Sequence, residues 1–142
     1  MSNEHTVKSY EEELRYLIDS VIKMGSLTET QLVDSMDAVI KVDKDSIDKI
    51  IKSDDEINKF RSKIDTQIMT LLVKRAPMAI DLRETISSLK ISQDLERIGD
   101  LSKSNAKKVK PLPLDLPEEL LGNLKRLGEL AVSYTHLTLP TM

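Results

Sequence analysis

A three- and four-residue spacing of apolar side chains runs through most of this chain and leaves few folds open to it. Leu14, Ile18, Val21, Gly25, Thr28, Leu32, Met36 and Val39 fall on one stripe of a long helix, widened by Leu17 and Ile40. The spacing predicts a helix over residues 4–41. Val42-Asp43-Lys44-Asp45 then interrupts the pattern, with Asp43 or Asp45 placed to cap the next helix. A second stripe, Ile47, Ile50, Asp54, Ile57, Arg61, Ile64, Ile68 and Leu71, ends near Arg75 because Pro77 disfavours the α region at Ala76. A third helix begins at residues 77–79, with Leu82, Ile86, Leu89, Gln93, Glu96 and Asp100 as its stripe. Lys103, Lys107, Lys108 and Lys110 crowd its C-terminal end, where cations complement the helix dipole. Helices of this length are roughly 45 Å long. Joined by short loops, they predict an all-α, up-down-up three-helix bundle over residues 1–110.

Lys110-Pro-Leu-Pro-Leu-Asp-Leu-Pro117 cannot lie inside a helix, so residues 111–117 read as an extended linker. Leu120, Leu124, Leu127 and Ala131 open a fourth stripe over residues 118–131, with Pro117, Glu118 and Glu119 suited to its first turn. Residues 132–142 drop the helical period and carry no Asp, Glu, Lys or Arg. Residues 132–141 closely resemble the conceptual translation of a sequencing-library adapter. The segment is read as a non-native tail, and His136 and Tyr134 are given no functional weight.

Composition narrows function more than fold. The chain has no Cys and two His, which excludes thiolate chemistry and argues against a structural zinc site. A net charge of −3 gives no electrostatic reason to expect nucleic acid. No apolar run approaches the roughly 20 residues of a membrane span, and the N-terminus lacks a signal-peptide layout. The expectation is a soluble, cytoplasmic protein. His5 lies near the terminus and reads as exposed; Tyr10, Tyr16 and Phe60 read as core or edge packing. No nucleophile elbow, phosphate loop or dinucleotide fingerprint occurs, so the expectation is also a non-enzyme.

The anomaly is Gln93, Glu96 and Asp100 on a stripe that Leu82, Ile86 and Leu89 began. Two carboxylates 4 Å apart at an effective dielectric of 20 repel by about 4 kcal/mol, so a proton, a basic partner or a cation must offset them. If the second and third helices turn back near Arg75, Asp54 lies level with Gly99 and Ile57 with Glu96. Asp54, Glu96 and Asp100 then converge beside Gly99, whose lack of bulk admits a close approach. An all-oxygen cluster suits Mg, Mn, Ca or carboxylate-bound iron. The alternative is a paired polar layer in which Arg61, Arg97 or lysines answer the acids. Whether the carboxylates meet without basic partners separates the two.

Four segments together resemble the PhoU family of phosphate-transport regulators. They are Asp94-Leu-Glu-Arg-Ile-Gly-Asp100, Pro77-Met-Ala-Ile-Asp-Leu-Arg83, Asp54-Asp-Glu-Ile-Asn58 with Ile64-Asp65, and Met24-Gly25. The resemblance covers residues 4–131. It implies two tandem three-helix bundles, of which this chain holds the first and the start of the second. It also implies a multinuclear metal cluster (iron, or Mg, Mn or Zn) with Glu96 and Asp100 as its main ligands, then Asp81 and Asp54. Arg83 and Arg97 would balance the acids. Asn58 stands where family members often carry Asp. The implied role is negative regulation of phosphate uptake and of the phosphate-starvation response. The protein would be an adaptor between the ATPase subunit of a phosphate ABC transporter and a sensor histidine kinase of two-component signalling. It would be a homodimer when full length and touch the membrane only through partners. A metal-free helical interaction module and a carboxylate-metal enzyme are the alternatives.

Overall fold

The computed structural model describes residues 2–77, 79–113 and 115–138; the side chains of His5 and His136 lie outside the described ones. Four helices run in order: α1 (Ser2–Lys41), α2 (Ile47–Arg75), α3 (Ile80–Lys107) and α4 (Glu118–Thr138). The first three pack against one another as the expected up-down-up bundle, and α4 lies on α1.

Two buried clusters fill the bundle. One joins Leu14, Leu17, Val21 and Met24 of α1 to Ile57, Ile64, Ile68 and Leu71 of α2 and Leu95 of α3. The other, at the opposite end, joins Ala38, Val42, Ile47, Ile50, Ala106 and Val109. The α2 stripe is as expected, with Ile47, Ile50, Asp54, Ile57, Ile64, Ile68 and Leu71 all buried.

The expected α3 stripe is wrong by one residue, a rotation of about 100°. The buried face is Thr85, Ser88, Ser92, Leu95, Gly99, Ser102 and Ala106. Leu82, Gln93 and Asp100 are exposed, while Ile86, Leu89 and Glu96 are half-buried. The cause is volume. Leu, Ile and Met of α1 and α2 already fill the space, so α3 offers its small residues. Their hydroxyls are satisfied locally: Thr85 donates to the Asp81 carbonyl, Ser88 to Glu84, Ser92 to Leu89 and Ser102 to Ile98. Bonded in this way they bury almost as alanines do.

The turns also depart from expectation in detail. Neither Asp43 nor Asp45 caps α2; Ser46 holds the cap position without a side-chain cap bond. Asp43 instead accepts from the Ser46 hydroxyl and the Asp45 N–H. The Ser46 hydroxyl, with the Asp45 N–H next, holds the Asp43 carboxyl below the usual carboxylate range. A depressed folded value means these bonds add stability above the ordinary range and lose it as pH falls through the folded value. Acidification is therefore expected to release the Asp45 amide in the wild type, while Asp43→Asn shows no such acid step. Amide exchange followed across the acid range checks this. At the other hairpin, Ala76 ends α2 in the left-handed region (φ 42°) immediately before Pro77.

A turn through Leu112 follows α3, and the described residues 113 and 115–117 lie outside any helix. α4 runs to Thr138, seven residues into the segment read as tail, since helix propagation costs little once the first turns exist. Its docking face differs from the expected one. Gly128 is buried against Met36, where a β-carbon would sit 2.8 Å from Met36 Cε. Leu121, Leu124 and Val132 share that side and are half-buried. Leu120 and Leu127 point away, 46% and 64% exposed.

Candidate functional site

The α2 stripe carries one charged residue to full burial. Asp54 is 1% exposed, between Ile50 and Ile57. Gln31 of α1, itself fully buried, donates from Nε2 to Asp54 Oδ1 (3.1 Å) and to the Gly99 carbonyl (2.8 Å). Asn58 donates to Asp54 Oδ2 at 3.4 Å, and Lys103 Nζ reaches the same oxygen at 3.2 Å. One carboxylate thus ties all three helices at one level. The Lys103 side chain is 27% exposed, so the pair is not wholly shut off from water. The expected level pairing of Asp54 with Gly99 holds, since a β-carbon on Gly99 would lie 3.4 Å from Asp54 Oδ1 and also 3.4 Å from Ile57 Cδ1.

About two turns along α2, Arg61 makes the second tie. Nη1 donates to Ser92 Oγ at 2.7 Å and to the Leu89 carbonyl at 3.5 Å. Nη2 pairs with Asp65 Oδ1 at 3.1 Å, and Nε with Glu96 Oε2 at 3.5 Å. A third tie closes the far end, where Arg75 Nη2 bonds Ser9 and Glu13 of α1.

The four residues expected to hold metal are not gathered around one point. Asp54 is buried and paired, Glu96 lies on Arg61, and Asp100 is exposed. Asp81 sits 15 residues before Glu96, ~22 Å along the axis. There it faces Tyr10, whose hydroxyl burial pushes to a higher pKa; the Thr85 hydroxyl opposes this and the Asp81 and Glu84 carboxylates add to it. Among the described residues no three His, Asp or Glu side chains stand close enough to hold an ion. As one metal shell the set does not fit.

The sequence pattern places Asp54 correctly and offers Arg61 as an answer to the acids. It presents Lys103 as a dipole cation and gives no role to Gln31. The signal for Gln31 was its place three residues after Thr28 and seven after Met24. Asn58 donates to Asp54 Oδ2, where an Asp would set two carboxylates together. Arg83 and Arg97 are exposed. Tyr16 is also exposed and lies under Lys63, 4.8 Å from its ring centre; the lysine lowers the phenol's pKa.

Fold and site together define a helical bundle whose polar residues cross-link its helices. A family model described as the PhoU domain matches residues 21–109, and the chain belongs to that family. It is 37% identical over 133 residues to a phosphate-specific transport system accessory protein PhoU homolog of Rhizobium meliloti (strain 1021), covering 93% of this chain and 56% of that protein. The homolog of Caulobacter vibrioides (strain NA1000 / CB15N) is 37% identical over 128 residues, covering 89% and 56%. The accessory protein PhoU of Edwardsiella tarda is 31% identical over 134 residues, covering 94% and 55%. The chain spans about half the length of the curated relatives it matches. No solved structure matches it significantly. Among the described residues no helix is long and apolar enough to cross a membrane.

Proposed function

We propose that this chain is the regulatory part of a phosphate-transport accessory protein, acting in the cytoplasm by contact and not by catalysis. It lowers phosphate uptake and the phosphate-starvation response, as an adaptor between the transporter's ATPase subunit and a sensor histidine kinase. The observation that carries this reading is 37% identity to such an accessory protein along 93% of the chain. The cross-linked bundle supports it physically, because ties across three helices give a rigid outer surface for a partner. Homodimerisation of the longer protein belongs to the same proposal. A metal ion enters it only at the outer residues Glu96 and Asp100, one turn apart on α3; Asp54 and Asp81 stand outside. No step in the proposed action passes through that ion.

The test is genetic. Deleting the gene is expected to raise a phosphate-starvation reporter in phosphate-replete medium, and restoring it to silence the reporter. An unchanged reporter after deletion overturns the reading. The metal-free interaction module is favoured by one observation, the pairing of Asp54 with Lys103 and of Glu96 with Arg61. It differs from the first reading only in dispensing with the ion.

A further inference from the structure

The second tie is built around a cation that belongs to the chain. The Ser92 hydroxyl donates to the Leu89 carbonyl, so its lone pairs are turned to receive Arg61. The same carbonyl accepts a second bond from Arg61. The guanidinium is therefore seated by α3 before any acid is counted. Its remaining N–H groups face Asp65 on its own helix and Glu96 on α3. The Arg61 side chain is 14% exposed, whereas those of Asp65 and Glu96 are 45% and 38% exposed. A solvent ion would thus meet the carboxylates from outside with a fixed positive charge behind them.

We propose that Arg61 is the resident cation of the α2–α3 seam and competes with any metal ion for Glu96 and Asp65. The looser contact, Nε to Glu96 at 3.5 Å, is where displacement would begin. This goes beyond the proposed function and rests on it only for the notion that an ion visits Glu96.

The experiment titrates the whole chain with Mn²⁺ alone, following free Mn²⁺ by electron paramagnetic resonance. Wild type, Arg61→Gln, Arg61→Lys and the double variant Arg61→Gln/Glu96→Gln are compared. Removing a like charge beside the site is expected to tighten binding by about tenfold or more in Arg61→Gln. The double variant is expected to lose that gain. Arg61→Lys keeps the charge without the planar fork and is expected to show a smaller gain. It carries the comparison if Arg61→Gln does not fold by circular dichroism. Equal binding in wild type and the Arg61 variants overturns the inference. If the equal binding is tight, the competition fails and the ion at Glu96 stands. If it is absent in all, both fail.

Discussion

Ile57→Ala is expected to destabilise the bundle by about 2–5 kcal/mol, the range for removing a buried aliphatic branch and leaving a cavity. Ile57 is fully buried and belongs to the cluster with Leu17, Val21, Met24 and Ile64. Its Cδ1 and Cγ2 lie 3.4 and 3.5 Å from where a β-carbon of Gly99 would be, so it fills the gap that the glycine leaves. Gly99 has no side chain to move in, and α3 is already as close as its small face permits. The hole can therefore collapse little, which places the cost in the upper part of the range. It also opens beside Asp54, whose bonds depend on the exclusion of water. Ile57→Val is expected to cost only about 0.5–1.5 kcal/mol. Met69→Ala, on a residue 61% exposed, is expected to stay within about 0.5 kcal/mol of wild type. Urea unfolding followed by far-UV circular dichroism gives all three. An Ile57→Ala loss no larger than that of Met69→Ala would show that this level of the bundle is not close-packed.

Legibility in the sequence depends on which residues do the packing. α2 was legible because its buried face is isoleucine, leucine and one aspartate, set against charged neighbours. Helix ends were legible where Pro77 and Pro117 punctuate the chain. α3 was not, because apolar periodicity counts Ser and Thr as outward residues. Here Ser88, Ser92 and Ser102 face inward with hydroxyls bonded to their own helix. The rotation moved Gln93 and Asp100 from the expected core face to solvent and left Glu96 at the edge. It removed the electrostatic anomaly as first posed, since outer carboxylates at i, i+4 repel by only about 0.2–0.5 kcal/mol. The anomaly that remains is Asp54. Its place was legible, its partners were not. Gln31 is 23 residues earlier and Lys103 is 49 later, separations that no helical period reports.

Lys103→Met is expected to cost more than Asp54→Asn, although both break the same pair. Removing the lysine leaves a carboxylate 1% exposed with only the Gln31 and Asn58 amides as donors. Stripping a buried charge of its partner costs about 3–5 kcal/mol in general. Two amide donors remain, and Lys103 is itself 27% exposed, so solvent screening lowers the figure to about 1–3 kcal/mol. Asp54→Asn removes the buried charge instead. The new amide oxygen still accepts from Gln31, and Lys103 swings into water, at about 0–1 kcal/mol. In the double variant the introduced methionine lies over a neutral amide, so most of the Lys103→Met cost disappears. The two sites should therefore couple by about 1–2 kcal/mol in a double-mutant cycle read by urea unfolding. Additive losses would mean that Lys103 contributes only its methylene stem and that the Gln31 and Asn58 amides alone suffice for Asp54. Coupling at the expected size would mean that the seam depends on a cation supplied by the chain at Asp54, as it does with Arg61 at Glu96.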